Sequence, residues 1–305
     1  MEGNLKVAVL MSTYNGGRYL REQIDSILQQ KGDFNLDLWV RDDGSTDETR
    51  KILDEYCKQG KLHWYSDQNL GPALSFLNLI QTVKDYDIYA FADQDDYWLT
   101  DKVDRAVTQL KAVDCPALYF ANAEMVDSKL DSLGRNVYKL SPALDFKTLT
   151  CAGGLLGCTM AFNAKLASYI QDFQLPKKLV MHDFYLAELC LALDGSIIYD
   201  SQAVMKYRQH GDNVVGVSYG LLATIKDRLH EIRTPNKVGI DVQAYYLAKI
   251  YKKDISSQKL MWLQKIANYK QKAFSRIRLA LSPSVHYVNR NQSLKLRLAI
   301  LKGNR

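Results

Sequence analysis

Lys6-Val7-Ala8-Val9-Leu10-Met11-Ser12-Thr13-Tyr14-Asn15-Gly16-Gly17 is a short, β-rich apolar run that breaks at once into a turn-forming polar cluster. Behind it, Tyr19, Leu20, Ile24, Ile27 and Leu28 recur at the offsets of one helical stripe, which ends near Lys31-Gly32. The same alternation then repeats. Residues 36–40 read as a strand ending in Asp42-Asp43-Gly44-Ser45-Thr46-Asp47, and residues 49–56 as a helix. A third strand at 62–65 leads through the turn Asn69-Leu70-Gly71 into an amphipathic helix over 73–83. A fourth, at 88–92, closes on Asp93-Gln94-Asp95-Asp96. Strands alternating with helices of roughly 10 to 15 residues predict βαβ units, hence an α/β fold with a mainly parallel sheet and helices on both faces. In open sheets of this kind ligands bind beyond the carboxyl ends of the strands, and here three strands deliver polar clusters to that edge, so a crevice is expected there.

The 305 residues are 47% hydrophobic and 24% charged, with 17 Gly and 6 Pro, which excludes fibrous, low-complexity and disordered classes. No uncharged apolar run reaches the ~18 residues of a spanning helix, and residues 1–11 lack a signal peptide's basic flank and cleavage site, so a cytoplasmic protein is expected. Five cysteines (Cys57, Cys115, Cys151, Cys158, Cys190), odd in number and without C-x-x-C spacing, predict free, buried thiols rather than disulfides or a zinc site. The net charge of +6 is uneven. Residues 221–305 hold 18 Lys+Arg against 4 Asp+Glu, and the remainder 22 against 30. Such a basic tail seeks a polyanion. It carries no nucleic-acid motif, and its pattern is helical, with Leu260, Leu263, Ile266 and Ala267 apolar while Lys259, Lys265, Lys270 and Lys272 are basic. Contact with the inner face of a cell membrane is the preferred reading. A self-association surface, or a solvated helical face packed back on the main domain, are the alternatives.

Asp93 and Asp95 lie two apart at a strand end, so in extended geometry they project to one side and can share a hard cation, Mg²⁺ or Mn²⁺. A D-x-D with few other ligands suits a phosphorylated substrate that completes the shell. The bland reading of such a cluster is a turn or a cap, with Asp96 and Thr100 available to cap a helix starting near Asp101. Asp42-Asp43-Gly44-Ser45 reads either as an Asx-turn or as a carboxylate offered to a nucleobase imide or ribose hydroxyl, with Tyr14 presenting an aromatic face for stacking. The absence of G-x-G-x-x-G and G-x-x-x-x-G-K-[ST] leaves a divalent ion as the means of holding phosphate.

Met11-Ser12-Thr13-Tyr14-Asn15, Asp42-Asp43-Gly44-Ser45-Thr46-Asp47, Asp93-Gln94-Asp95-Asp96 and His182-Asp183 stand in an order and spacing that resemble the inverting family 2 glycosyltransferases with the GT-A fold. Asp93-Gln94-Asp95-Asp96-Tyr97-Trp98, Gly157-Cys158-Thr159-Met160-Ala161-Phe162-Asn163, His182-Asp183-Phe184 and Tyr207-Arg208-Gln209-His210-Gly211-Asp212-Asn213 resemble more narrowly the branch that includes bacterial rhamnosyltransferases of surface polysaccharide assembly. That branch commonly has Trp where this chain has Phe184. The resemblance implies a GT-A domain over 1–216, followed by a basic, mainly helical region over 217–305.

It also implies roles. Thr13 and Tyr14 would line the nucleobase pocket, Asp43 would bond the base, Asp93 would approach the ribose or diphosphate, and Asn15 and Gly71 would join them in binding the nucleotide-sugar. Asp95 would be the metal ligand, with His210 as a further ligand or diphosphate contact. Asp183 would be the base that deprotonates the acceptor, with Trp98 and His182 on the acceptor side. The implied activity is metal-dependent, inverting transfer of a hexose, rhamnose favoured, from a dTDP- or UDP-sugar to a saccharide hydroxyl, on a lipid-linked acceptor. The alternatives are a transferase using UDP-Gal, UDP-Glc or UDP-GlcNAc, a nucleotidyltransferase, and an inactive sugar-nucleotide or polysaccharide-binding module.

Overall fold

A computed structural model describes residues 4–209, 238–287 and 290–305; His210 and the first part of the basic region lie outside the described residues. Four strands, β1 (Leu5–Thr13), β2 (Phe34–Asp42), β3 (His63–Ser66) and β4 (Ile88–Ala92), alternate with α1 (Leu20–Leu28), α2 (Thr49–Lys58) and α3 (Pro72–Thr82). Observed and expected bounds agree to within a few residues. Next come β5 (Tyr97–Trp98), α4 (Lys102–Leu110), β6 (Ala117–Val126), β7 (Ser132–Asn136), α5 (Phe146–Ala152), β8 (Ala161–Asn163), α6 (Ala164–Gln171), α7 (His182–Ala192) and β9 (Ser196–Arg208). One sheet runs β3-β2-β1-β4-β8-β6-β9-β5, with β7 paired to β6. The β3-β2-β1-β4 half and the β6–β9 pair are parallel; the short β8 joins the halves by antiparallel pairing to β4 and β6.

Helices cover both faces, and the alternation along β1 shows why. Val7, Val9 and Met11 enter an apolar cluster with α1, α2 and α4, whereas Ala8 and Leu10 enter the opposite one with α3, α6 and α7. Strand β4 divides likewise, Ile88, Ala90 and Ala92 against Tyr89 and Phe91. Because β1, β2 and β4 are parallel, with Thr13 beside Asp42 and Met11 beside Ala92, their carboxyl ends come out together and gather the loops at 14–17, 43–47 and 93–96. The strand order reverses between β1 and β4, the position at which an α/β sheet opens a crevice.

The basic region contributes α8 (Ile240–Ile250), α9 (Ser257–Ala267), α10 (Ala273–Ala280) and α11 (Arg290–Lys302). Their buried residues, Leu247, Trp262, Leu263, Ile266, Leu279 and Ile300 among them, join the apolar cluster that holds α7. Polar ties follow. The Gln243 amide accepts from Val180 N–H at 2.9 Å and donates to the buried Glu188 carboxylate of α7 at 2.7 Å. Tyr287 donates its hydroxyl to Ala152 O at 2.6 Å, just before the loop at 153–157. All five cysteines are free; Cys151, Cys158 and Cys190 are buried, as expected, but Cys57 is exposed. Among the described residues no helix is long and apolar enough to cross a membrane.

Candidate active site

The crevice at the β1/β4 edge is a cavity of about 910 Å³ lined by Tyr14, Asn15, Asp43, Gly71, Asp93, Asp95, His182 and Asp183. Tyr138 and the loop Gly154-Leu155-Leu156-Gly157 line it as well. Side chains separated by up to 170 positions in the sequence therefore share one space of the size that encloses a ligand larger than a single sugar.

Two of the expected site residues, Thr13 and Trp98, are placed away from the cavity. Thr13 is buried and turned away, its hydroxyl 3.5 Å from Arg41 O, because alternate residues of a strand point to opposite faces and Ser12 and Tyr14 take the cavity side. Trp98 does not line the cavity: it is 1% exposed in the apolar cluster against α4, with Lys102 Nζ 4.2 Å from its ring centroid. His210 lies outside the described residues. Asp96 also departs from its expected helix-capping role. Its Oδ1 accepts the Arg208 backbone N–H at 3.1 Å, tying the end of β9 to the carboxylate loop.

Tyr14 is 51% exposed, so one face of its ring is free toward the cavity. Its backbone is pinned by Gln94, which accepts from Tyr14 N–H at 2.9 Å and donates to Tyr14 O at 3.1 Å. Asn15 staples the two nucleating loops: its N–H donates to Ser45 Oγ and its Oδ1 accepts from Thr46 N–H. Asp42 is the Asx-turn carboxylate, accepting Ser45 N–H, Arg50 Nε and Ser66 Oγ. Asp43 accepts the N–H groups of Leu70 and Gly71, each at 2.8 Å, and pairs with the Arg41 guanidinium. A carboxylate offers about four acceptor positions, so Asp43 keeps one, on Oδ2, for a ligand. Gly71 meets it at φ +75°, a conformation few L side chains adopt.

Arg41 and Asp43 are both buried, which makes this pair costly to break. Replacing Asp43 by Ala is expected to lower stability by about 3–5 kcal/mol, because it strands the Arg41 charge in the interior. Urea unfolding of the two proteins measures it; a loss under ~1 kcal/mol would show that Arg41 finds its compensation elsewhere.

Asp183 sits in the first turn of α7 and accepts the Phe184 N–H at 2.6 Å. Burial pushes its carboxyl up to about 6, while the backbone donors of Phe184 and Gly157 hold it from rising further. Gly157 is there for want of a side chain. A Cβ would stand 3.0 Å from His182 Nε2 and 3.1 Å from Asp183 Oδ2. The His182 ring stacks on Phe76 at 4.0 Å between centroids and meets the edge of Phe91 at 4.9 Å; burial drives its pKa down to about 3, so it is neutral.

Further acidic groups line the same cavity. Asp93 is pushed up to about 7 by burial and by the neighbouring charges of Asp95 and Asp183. Asp93, Asp96 and Cys158 hold ligand atoms within 4.8 Å of one another. Burial keeps the Cys158 thiol protonated and Asp96 faces inward with its Oδ2 unpartnered among the described residues, so the soft member of the trio is a poor ligand. Asp93 and Asp95, on the cavity side, offer hard oxygen donors. This arrangement fits Mg²⁺ or Mn²⁺, whose charge would relieve the mutual repulsion. Arg208 holds the loop from behind, donating Nε to Asp95 O at 2.8 Å and a terminal nitrogen to Ser128 O at 2.6 Å.

Comparison with known proteins identifies the family and the fold. Residues 8–167 match the family model described as glycosyl transferase family 2. The dTDP-rhamnosyl transferase RfbG of Shigella flexneri is 31% identical over 236 residues, 71% of this chain and 77% of RfbG. Among solved structures, TarS 1–349 of S. aureus in complex with UDP-GlcNAc superposes with a TM-score of 0.55 at 15% identity, over 98% of this chain and 91% of that one. The mannosyltransferase PcManGT of Pyrobaculum calidifontis, in complex with GDP-Man and Mn²⁺, gives 0.52 at 18% identity, over 98% and 86%. The two structures show a shared GT-A-type fold.

Proposed function

The chain belongs to glycosyl transferase family 2 and is a glycosyltransferase, and from that premise we propose that it transfers rhamnose, with inversion, from a dTDP-sugar to a hydroxyl of a lipid-linked saccharide in cell-surface polysaccharide synthesis. The donor class follows that of the Shigella dTDP-rhamnosyl transferase. The chemistry follows the cavity. A single observation carries the reading: Asp95 and Asp183 open onto one cavity, with the aromatic face of Tyr14 at the same edge of the sheet.

In this mechanism Tyr14 stacks on the nucleobase and the open position on Asp43 Oδ2 accepts its imide N–H. Asp95, seconded by Asp93, would hold a divalent cation; when bound, the ion supplies Lewis-acid stabilisation of the departing diphosphate. Asp183 receives the acceptor hydroxyl's proton as the oxygen attacks the anomeric carbon from the opposite face. The new C–O bond forms as the bond to phosphate breaks, and the electron pair leaves with the nucleoside diphosphate. Neutral His182 adds no competing positive charge beside that base, and the Gly157 backbone leaves room for the acceptor.

A panel of sugar nucleotides with Mn²⁺, read by thermal denaturation, tests the donor. At a hundredfold excess over its Kd a ligand adds about 2.7 kcal/mol of stability, so dTDP-rhamnose is expected to raise the Tm most. A larger shift with a UDP-hexose would replace the donor, and no shift with any member would overturn the transferase mechanism.

A further inference from the structure

We propose that α10 and α11 form the face by which this protein docks on an anionic lipid bilayer. Phe274, Ile277 and Leu281 make one exposed stripe along α10 and its C-terminus, and Phe274 and Leu281 are 72% and 70% exposed. Leu294, Leu298 and Leu301 make another along α11, exposed to 59%, 47% and 38%. The opposite sides of the same helices are buried through Leu279, Ala280, Leu296 and Ile300. Helix α11 is thus apolar on two sides, a pattern that water alone does not favour and that calls for a second partner beyond the core.

Charge identifies that partner. Residues 273–302 contain six Lys or Arg and no Asp or Glu. Of the six, Arg278, Arg290, Lys295 and Lys302 are exposed, whereas Arg297 is turned inward onto Val285 O at 3.0 Å. Apolar stripes rimmed by cations suit a surface that offers acyl chains beneath anionic headgroups. A second copy docking through the same face in a two-fold dimer would instead set this cationic set against itself. The inference stands on these two helices, apart from the donor and acceptor assigned above.

Flotation of the full chain with vesicles of phosphatidylglycerol and phosphatidylethanolamine, against phosphatidylcholine alone, tests it. Binding is expected to the anionic vesicles only and to weaken with salt. Lys295→Gln and Lys302→Gln should each lower the partition coefficient about fivefold. Phe274→Ser with Leu298→Ser should lower it at least about tenfold while nucleoside diphosphate release from the donor stays at the wild-type rate. Wild-type binding by the serine variant, equal binding to neutral vesicles, or none at all would overturn the proposal. So would a lipid-free dimer, seen by analytical ultracentrifugation, that the serine variant dissolves. A chain that floats but turns over no sugar nucleotide would sink the transferase mechanism and leave this surface intact.

Discussion

Replacing Asp183 by Asn is expected to lower turnover by about 10² to 10⁴-fold, the contribution of a positioned general base, while nucleotide-sugar affinity stays nearly unchanged. The substitution keeps the side chain's shape and its acceptor for Phe184 N–H, so the first turn of α7 survives. What disappears is the proton acceptor. The pH dependence carries a second signature of the same group. Burial raises the carboxyl to about 6, and a base works only when ionised. At saturating Mn²⁺, whose charge keeps Asp93 ionised, wild-type kcat/KM should therefore fall about tenfold per pH unit below 6 and level off above it, and the Asn variant should lose that limb. Turnover within tenfold of wild type, with the acid limb intact, would move the base elsewhere.

Removing the cation, or its ligand by Asp95→Ala, is expected to cost at least about a hundredfold in transfer, since Lewis-acid stabilisation of a developing charge is worth several kcal/mol. It should also weaken nucleotide binding, because the diphosphate loses its counter-charge beside Asp93 and Asp183. Titration of dTDP or UDP with and without chelator reads the binding loss, and full transfer in excess chelator would end the metal assignment. The two substitutions differ in kind: Asp183→Asn is expected to leave donor affinity in place, whereas Asp95→Ala should reduce it.

The first half of the fold was legible because its signals are long and regular. Each of β1, β2 and β4 is an apolar run closed by a polar cluster, and the parallel pairing converts those three closures into one edge. The second half was not. Strand β8 has three residues, too few for any periodicity to register, yet it joins the two halves of the sheet. Thr13 belonged to the right motif but sits on the wrong side of a pleat, and Trp98 stands two residues beyond the carboxylate loop at 93–96 yet packs inward. Gln94 was visible as the middle of a D-x-D without any sign that it clasps the Tyr14 backbone, a contact made across 80 positions. Gly157 could have been singled out as one more glycine of a polar loop; only the nearness of His182 and Asp183 shows what its missing Cβ permits. Arg208, three methylenes and a guanidinium in a strand, gives no hint in sequence that it carries Asp95 on its back.

The basic helices share their interior with α7 instead of trailing from it. Leu247, Trp262 and Ile266 fill the same interior as Leu186 and Leu189, one turn or two from Asp183. The segment is therefore no interchangeable anchor. A chimaera that exchanged it between relatives would have to carry the matching flank of α7 across the junction, and selection for a new destination in the cell would be felt at Asp183.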